Sequence, residues 1–547
     1  MTDATGEATR DATGPMLAAD GTPLKKSLSR ALRMQKLRAL MLIAPLLAFV
    51  LVTFIAPIAD MLFRSVENEI VSDTMPRTTA ALADWDGQGM PPETIFESAY
   101  YDLFIAAERK EHTRLGTRLN YEQTGASSLF RKSGRGLDDI GEVYQDQFED
   151  LNEDWDEAAP WAELMGDPEW LTEQAAWSEG APQPEFTLRE GIAELLPRTA
   201  DQYQVFARFQ QLEEENSPLD EEPWSAVHTA LYQDLAEADV SGYDGPRADM
   251  LIAADALVDT PDFETAGFAE GFEDIDEDWA DPEIWRTIKL YASDLTSGYF
   301  LNSIDMQLTP DGPEMRAENE RIYMLLFKRT IFMSMVITCS CILLAYPVAY
   351  ILSNLPARKA NLLMILVLLP FWTSLLVRTS AWKVMLQQQG VINDVLVWLG
   401  LVADDSRLAM INNQFGTIVA MTHILLPFMI LPMYSVMSTI PTTYVRAAKS
   451  LGATNWTTFW RVYFPQSIPG IGAGSILVFI LSIGYYITPE IVGGTTGTFI
   501  SNRIAYHISS SLNWGLAAAL GTILLAVVLI LYWAYDRIVG IDNVKLG

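Results

Sequence analysis

The stretch TYVRAAKSLGATNWTTFWRVYFPQSIPGI, from Thr443 to Ile471, decides how the rest of this chain is arranged. It is basic and is interrupted by a glycine, although it lies between two segments apolar enough to cross a bilayer. Apolar residues recur at helical spacing up to Gly452, which suits the position after the last turn of a helix. Thr454 or Asn455 is placed to cap a second helix, which Pro465 is expected to stop. The stretch therefore predicts two short helices joined by a glycine elbow.

Runs of about twenty residues with almost no charge flank this elbow and recur along the chain. A helix of that length is long enough to cross the hydrocarbon core of a membrane. The runs occupy residues 40–63, 331–353, 361–386, 415–437, 468–489 and 514–535. The first run follows a long polar tail and is not followed by a small-residue cleavage site, so we expect an uncleaved membrane anchor. Six spanning helices are predicted.

The net charge of −33 divides into two opposite populations. Residues 65–320 hold 59 acidic and 15 basic residues, a net charge of −44, whereas the rest of the chain carries +11. With six spans, the basic groups beside the apolar runs all fall on one side, which the positive-inside rule makes cytoplasmic. Both termini are therefore predicted to be cytoplasmic and residues 65–320 extracytoplasmic. The basic residues are Lys25, Lys26, Arg30, Arg33, Lys36, Arg38, Arg358, Lys359, Arg446, Lys449, Arg461, Arg537 and Lys545.

The acidic segment is long enough, and rich enough in tryptophan, to bury a core of its own, and its helical spacing predicts a mainly helical domain. Two of its stretches are similar: FEDLNEDWDEAAPW (Phe148–Trp161) and FEDIDEDWADPEIW (Phe272–Trp285). The similarity indicates either an internal duplication or a coincidence in an acidic background. The acids lack the spacing of a calcium loop, so a solvated face is expected and no metal site is predicted.

The predicted organisation has four parts. They are a cytoplasmic tail (1–38), a first transmembrane helix (39–64), an acidic extracytoplasmic insertion domain (65–320) and a core (321–547) that contains the elbow within a loop at 438–466.

The elbow carries a recognisable motif. Arg446-Ala447-Ala448-x-x-x-Gly452, then nine residues, then Val462-x-Phe464-Pro465 resembles the coupling-loop motif of binding-protein-dependent ABC-transporter permeases, Glu-Ala-Ala-x3-Gly-x9-Ile-x-Leu-Pro. Arg446 departs from the motif because it replaces the glutamate and reverses its charge. This puts in doubt the salt bridge that the glutamate of the family makes.

Further stretches are similar to the spermidine/putrescine permease family, and the resemblance covers about residues 321–547 and the first span. They are PFWTSLLVRTSAW (Pro370–Trp382), GYYITPEIVGG (Gly484–Gly494) and NWGLAAAL (Asn513–Leu520). The resemblance implies an all-α polytopic membrane protein with six transmembrane helices of the ABC importer permease type. The large insertion domain then lies between helices 1 and 2, and it is longer than family members ordinarily carry.

The resemblance implies a subunit that forms the translocation pathway for a small solute. The solute that the resemblance favours is a polyamine. The resemblance also implies that the subunit is not an enzyme. The chain has no Gly-Lys dipeptide and hence no phosphate-binding loop. No cofactor is therefore expected on this chain, and ATP would be used by a separate cytoplasmic ATP-binding subunit dimer. A second permease subunit, an extracytoplasmic solute-binding protein and membrane lipid are the other implied partners, with no nucleic acid. The implied location is the bacterial inner membrane.

Two groups of site residues follow. The predicted ATPase-coupling residues are Arg446, Ala447, Ala448, Lys449, Gly452 and Pro465. The candidate pathway residues are Trp372, Arg378, Tyr485, Tyr486 and Glu490. Aromatic faces and a carboxylate would suit a multiply charged amine. The aromatic residues equally suit the belt at a membrane interface, and Arg378 equally suits snorkelling to water and would repel a polyamine unless it were paired.

Other functions remain open at this point. The chain would also suit a permease for another small organic solute or a metal chelate. A membrane receptor with an acidic outside domain is a further alternative, although only short loops fall on the cytoplasmic side. An intramembrane enzyme is disfavoured because the four histidines lack metal-site spacing and no Gly-x-Ser-x-Gly occurs.

Overall fold

The computed structural model describes residues 24–178 and 180–539. The first 23 residues of the predicted tail and Lys545 lie outside the described residues, and of Lys25, Lys26 and Arg30 only the helical backbone is described. Helices make up almost all of the regular structure. The predicted all-α polytopic fold is confirmed.

Five helices in the described part of the chain are long and apolar enough to cross a membrane, and a bent pair brings the number of spans to as many as six. The bounds of the five are Arg33–Arg64, Tyr323–Asn354, Gln414–Thr439, Asn455–Gly484 and Trp514–Arg537. We number the spans 1 to 6 in chain order and count the bent pair as span 3. The helix of span 1 begins at Leu24, within the predicted tail, so part of that tail is helical and continuous with the span.

Span 3, which the sequence predicted as a spanning helix at 361–386, is bent. Ala357–Trp372 and Leu375–Met385 meet at an angle of 91°. Thr373 and Ser374 have extended backbone at the break, with ψ of 145° and 142°. Hydropathy measures how apolar a segment is but not its direction, so the sequence predicted the apolar segment and not its bend. A break of this kind within a membrane is tolerated where other protein covers it or where it lines a cavity.

Pro465 does not stop a helix either. The helix that begins at Asn455 continues through Gly484, so the second half of the elbow is the start of span 5. A wider π turn at Phe459–Tyr463 precedes the proline, and the Phe464 N–H bonds to the carbonyl of Phe459. The π turn shifts the pattern of backbone hydrogen bonds along the helix. Pro465, which has no N–H to donate, is therefore tolerated in the first turn of the next helical segment.

The helices of the membrane part are mostly long, with short helices at the two ends of the bundle. In chain order they are α1 (Leu24–Val50) and α2 (Ala56–Arg64) in span 1, and later α17 (Tyr323–Asn354), α18 (Ala357–Leu368), α19 (Leu375–Met385), α20 (Val391–Trp398), α21 (Gln414–Thr439), α22 (Thr442–Ser450), α23 (Asn455–Thr458), α24 (Phe464–Gly484), α25 (Ile487–Val492), α26 (Gly494–Gly497), α27 (Ile500–Ser509) and α28 (Trp514–Val539).

The insertion domain is mainly helical, as predicted, and ends in one antiparallel hairpin, β1 (Met306–Thr309) with β2 (Gly312–Met315). Its helices are α3 (Glu69–Thr74), α4 (Pro76–Asp84), α5 (Glu93–Glu108), α6 (His112–Leu119), α7 (Ala126–Leu151), α8 (Ala158–Met165), α9 (Pro168–Ala175), α10 (Ile192–Leu195), α11 (Pro197–Leu212), α12 (Ser225–Leu235), α13 (Ala248–Val258), α14 (Phe268–Ile275), α15 (Pro282–Leu290) and α16 (Gly298–Ser303).

Two hydrophobic cores lie inside this domain. The first joins helices from the start of the domain, α3 to α6, to helices from its end, α14 and α15. The second is built from the middle of the domain, between Tyr144 and Ala254. The long helix α7 contributes its first half to one core and its second half to the other, and Trp224 packs against both. The domain therefore has two lobes that share a helix and a tryptophan.

The two similar tryptophan stretches have the same structure. Each continues from a helix into a single 3₁₀ turn, at Glu153–Trp155 and Glu277–Ala280. In each, the indole N–H of the second tryptophan donates to the carbonyl oxygen of the first, Trp161 to Trp155 at 2.9 Å and Trp285 to Trp279 at 3.1 Å. One stretch lies in each core.

A second pair of matching elements extends the duplication. The helices α4 and α11 both begin with Pro-Arg-Thr. The backbone N–H and hydroxyl of Thr78 both donate to Asp102 at 2.8 Å, and Thr199 makes the same two bonds to Asp234 at 2.8 Å. Two matching motifs in two matching lobes indicate that the insertion domain arose by internal duplication.

The insertion domain is attached closely to the spans. The carboxylate of Asp305 accepts three backbone N–H groups at the start of span 2, from Ile322, Tyr323 and Met324 at 2.8–2.9 Å. The Tyr323 hydroxyl in turn lies 3.0 Å from Nε2 of His507 on α27. The end of the bundle that carries this domain is called the insertion end below, and the opposite end is called the elbow end.

Candidate functional site

The elbow has the glycine geometry that the sequence predicted. Helix α22 ends at Ser450, and Gly452 follows with a φ of +89°, a left-handed conformation that suits glycine. Among the described residues, and apart from its own chain neighbours, no atom lies within 4 Å of the position that a Cβ at Gly452 would occupy, so the backbone angle and not a lack of space favours glycine there. The hydroxyl of Thr454 then accepts the Thr457 N–H at 3.2 Å and caps the next helix.

The face of the elbow that points away from the bundle is apolar and basic. Leu451 is 89% exposed and Trp456 is 72% exposed, and Tyr444 is also exposed. Arg446 and Lys449 are exposed beside them, and in the part of the chain that the structure describes no carboxylate lies within 4 Å of either. Ala447 is exposed and Ala448 half-buried, which leaves a low surface between the larger side chains. A large apolar surface at the end of a membrane bundle is typical of a docking site for another protein.

The opposite face of the elbow packs onto span 2, a contact that the sequence did not reveal. Tyr350 lies edge-on to Tyr463, with ring centroids 5.1 Å apart, and to Phe459, at 6.0 Å. The hydroxyls of Ser353 and Tyr463 lie 3.1 Å apart. The elbow is thus in contact with the end of span 2 as well as joined to spans 4 and 5.

At the insertion end, three of the candidate pathway residues lie together. The amide Nδ2 of Asn502 donates to the carboxylate of Glu490 at 2.6 Å and to the carbonyl of Tyr486 at 2.9 Å. The neighbouring Ser501 hydroxyl donates to the carbonyl of Tyr485 at 2.8 Å. Glu490 and Tyr486 are exposed, so the carboxylate and an aromatic side chain remain available. Sequence analysis did not identify Asn502, whose role depends on a contact across twelve residues of chain.

Arg378 lies on α19, which packs against the same region. The hydroxyls of Thr379 and Thr488 on α25 lie 3.2 Å apart. The Nε and Nη1 atoms of Arg378 are sheltered from solvent, and within the described residues they have no hydrogen-bond acceptor. No carboxylate of the described chain lies within 4 Å of this guanidinium either. An unpaired guanidinium at membrane depth is costly and faces protein or a water-filled space.

Trp372 stands apart from that group. It is the last residue before the break in span 3 and is 73% exposed. Its neighbour Phe371 packs edge-on against Phe428 of span 4, with ring centroids 4.9 Å apart, and this contact anchors the break. The structure therefore brings Tyr485, Tyr486 and Glu490 together, places Arg378 on an adjoining helix, and leaves Trp372 on the surface.

The insertion domain also brings three carboxylates together. Ligand oxygens of Glu149, Asp156 and Glu222 all lie within 4.8 Å of one another. Burial, together with the charges of Asp156 and Glu149, raises the pKa of Glu222 to about 7. Burial and two neighbouring negative charges both disfavour the ionised form of the Glu222 carboxyl. The sequence did not reveal this cluster, because Glu222 is distant along the chain from Glu149 and Asp156.

A polytopic helical chain with an exposed helix–glycine–span element at one end has the architecture of a transporter permease and not of an enzyme. The chain belongs to the family of binding-protein-dependent transport system inner membrane components, and the family model matches residues 330–539. Within that family it resembles the spermidine/putrescine permeases. It is thus a multi-pass inner-membrane protein of the ABC importer type. The matched region begins after the insertion domain.

Three curated relatives illustrate the match. The spermidine/putrescine transport system permease protein PotB of Escherichia coli K12 is 32% identical over 222 residues, covering 40% of this chain and 80% of the relative. The PotB protein of Haemophilus influenzae is 34% identical over 211 residues, with 38% and 73% covered. The inner membrane ABC transporter permease protein YdcU of E. coli K12 is 30% identical over 277 residues, with 47% and 87% covered.

Among solved structures, a bacterial ABC transporter involved in the import of the acidic polysaccharide alginate aligns with a TM-score of 0.34 at 20% identity. The alignment covers 42% of this chain and 82% of that chain.

Proposed function

We propose that this chain forms the translocation pathway of an ABC importer for a polyamine of the spermidine/putrescine class. The observation that carries the proposal is the exposed apolar and basic face of the elbow, which is fixed to spans 2, 4 and 5. The polyamine assignment is supported by the relatives named as spermidine/putrescine permeases and by the exposed Glu490 beside Tyr486. A carboxylate next to an aromatic face binds an alkylammonium group by charge and by cation–π contact.

The mechanism that follows is mechanical. A separate ATP-binding subunit dimer would hold α22 in a surface groove and displace it when ATP closes the dimer. Gly452 keeps the connection to span 5 short, and the unbroken helix from Asn455 to Gly484 transmits the displacement across the membrane. At the far end of that helix lie Tyr485, Tyr486 and Glu490. Movement at the elbow would therefore open and close the candidate solute site.

The remaining partners follow from this arrangement. ATP would be bound by the partner ATPase, so this chain itself would hold no cofactor. A second permease subunit would complete the pathway and cover the break in span 3, and a solute-binding protein would deliver solute at the insertion end. With the basic elbow end in the cytoplasm, as the positive-inside rule favours, both termini are cytoplasmic and the insertion domain is outside.

One observation favours a second candidate substrate class. The guanidinium of Arg378 has two sheltered N–H groups without acceptors among the described residues. A carboxylate-bearing solute or an anionic metal chelate would satisfy them, whereas a polyamine would be repelled. Under the first proposal, a carboxylate of the second permease subunit would have to neutralise Arg378.

The deciding experiment is uptake by proteoliposomes that contain this chain with its ATPase, second permease and binding protein. We expect ATP-dependent uptake of labelled putrescine or spermidine, and unlabelled polyamine should compete while a dicarboxylate should not. Competition by the dicarboxylate alone would transfer the assignment to the second class. Uptake without the ATPase would contradict the proposed coupling.

A further inference from the structure

A cavity of about 570 Å³ lies where the insertion domain meets the membrane spans. Its lining includes Arg64, the last residue of span 1, and Trp514, the first residue of span 6. Spans 1 and 6 lie side by side below it, with Met61 beside Gly521. Because both spans end at this level, the cavity lies where lipid hydrocarbon gives way to headgroups. Helix α6 of the insertion domain forms the wall on the opposite side.

Arg118 makes that wall rigid and positive. It is 6% exposed, and its guanidinium lies between the rings of Tyr291 and Tyr299, at 4.7 and 4.4 Å from their centroids. It pairs with Glu122 at 2.9 Å, but Arg316 also pairs with Glu122, at 3.1 Å. Arg316 is also close to Glu320, at 3.8 Å, but Glu122 is the one carboxylate within 4 Å of Arg118 among the described residues. Nη2 of Arg118 has no hydrogen-bond partner among the described residues. The wall therefore keeps a guanidinium N–H group free of protein acceptors.

Unpaired charges of both signs line the same cavity. Arg114 has no carboxylate within 4 Å, and neither Glu67 nor Glu69 has a basic group within 4 Å, among the residues that the structure describes. Arg64, in contrast, is already paired with Asp60 at 2.9 Å. A ligand that carries an anionic and a cationic group satisfies both sets at once, whereas a simple anion or a simple cation satisfies one and is repelled by the other.

The rim of the cavity is apolar where it meets the spans. Leu512 is 63% exposed and has a φ of +54°, a conformation that is strained for leucine and that holds its side chain outward. Trp514 beside it is also exposed. An exposed leucine and tryptophan give nothing to a small soluble zwitterion, but they are suited to contact acyl chains at the membrane interface.

We propose that this cavity binds the headgroup of a zwitterionic phospholipid from the leaflet at the insertion end. The phosphate lies toward Arg114 and Arg118, the ammonium group toward Glu67 and Glu69, and the acyl chains descend past Leu512 and Trp514 along spans 1 and 6. The lipid then bridges the insertion domain and the two spans and holds one against the other.

The test is native mass spectrometry of the purified full chain in detergent, titrated with phosphatidylethanolamine or with phosphatidylglycerol. We expect the wild type to bind phosphatidylethanolamine more tightly by about fivefold or more, because only that headgroup offers an ammonium group to the carboxylates. The variant Arg114→Gln should weaken both lipids by about fivefold, the loss of one charge-assisted contact. The double variant Glu67→Gln, Glu69→Gln should remove the preference between the two lipids.

Two further variants and one competitor complete the experiment. Thr117→Trp, at an exposed position that lines the cavity, should block both lipids without changing a charge. Arg131→Gln, on the exposed surface of α7, is the matched control and should change nothing. Equal binding of the two lipids by the wild type, or unchanged binding by Arg114→Gln, would overturn the proposal. Glycerophosphoethanolamine binding as tightly as the intact lipid would also overturn it, because the ligand would then be a soluble zwitterion.

Discussion

The imidazole of His228 packs edge-on against the indole of Trp161, with ring centroids 4.9 Å apart. In the other lobe of the insertion domain, Phe96 packs edge-on against Trp285 at 4.6 Å. Trp161 and Trp285 are the last residues of the two similar stretches. His228 lies on the same helix as Asp234, and Phe96 lies on the same helix as Asp102. These are the two aspartates that accept hydrogen bonds from the threonines of the Pro-Arg-Thr motifs. At this matched position, therefore, one lobe has a titratable imidazole and the other a phenyl ring.

That difference predicts a pH-dependent stability. Burial lowers the pKa of His228 from 6.5 to about 4, so the folded domain keeps the ring neutral while the unfolded chain protonates it below pH 6.5. The free energy of unfolding should then fall as pH decreases from 6.5 to 4, by about 3 kcal/mol from this residue. His228→Phe should remove this component. Tryptophan fluorescence during unfolding of the full chain, at pH 7 and pH 4.5, measures it.

The variant Phe96→Leu is a useful control in the same experiment. It should destabilise the first lobe by about 1 kcal/mol or more through lost packing, and the loss should be equal at both pH values. If the difference between wild type and His228→Phe were also independent of pH, the assignment of a neutral buried imidazole would be wrong.

Gly452 provides a test of coupling through the elbow. Gly452→Val places a β-branched residue at a φ of +89°, which costs roughly 1–3 kcal/mol and favours a different elbow angle. We expect membrane insertion to be unchanged and ATP-driven solute uptake to fall by at least about tenfold while ATP hydrolysis continues.

Gly452→Asn is the matched control, because asparagine tolerates the left-handed conformation and the space around the position is open. It should retain most of the uptake. Uptake at the wild-type rate in Gly452→Val would show that the backbone angle at the elbow does not matter for coupling.

Glu490 provides a test of the candidate solute site. Glu490→Gln keeps the hydrogen bond to Asn502 but removes the negative charge that would attract an ammonium group. We expect the KM for polyamine uptake to rise about tenfold, with the maximal rate changed far less. Asp405→Asn, in an exposed turn outside that site, should leave the KM unchanged. An unaltered KM in Glu490→Gln would remove this residue from the pathway.

Asp305 predicts how firmly the insertion domain is attached. Asp305→Ala leaves three N–H groups at the start of span 2 without their acceptor and should cost about 1–3 kcal/mol. The junction near residue 320 should then be cleaved faster in limited proteolysis of the full chain. Asp305→Asn retains one acceptor oxygen, so its cleavage rate should lie between those of the wild type and Asp305→Ala. Asp311→Ala, in the exposed turn of the hairpin, should behave as the wild type.

The elbow shows what local sequence determines. The φ of Gly452, the cap at Thr454 and the end of α22 all follow from residues within one or two turns. The sequence predicted that the helix ends before Gly452, and it offered Thr454 or Asn455 as the cap. The prediction that Pro465 ends a helix failed because the π turn before it depends on the packing of Phe459 and Tyr463 against span 2. Sequence spacing does not contain that contact.

The candidate pathway shows the same division. Tyr485, Tyr486 and Glu490 are neighbours in sequence, and their proximity required no fold. The hydrogen bonds from Asn502 to Tyr486 and Glu490 depend on how α27 packs. The approach of α19 through Thr379 depends on the way span 3 turns by 91°. Predicting that turn needs the positions of its neighbours, because an apolar segment is equally stable in lipid in any direction.

The sequence by itself determined the class of this protein, since apolar length, charge asymmetry and the spacing of the elbow motif are read along the chain. It also predicted that the acidic segment forms a domain, because a segment of that length with eight tryptophans is able to bury a core. Only the tertiary structure decided that this domain is a duplication with two cores. The identifying hydrogen bonds join Thr78 to Asp102 and Thr199 to Asp234, and such pairs become visible only when the helices that carry them are packed together.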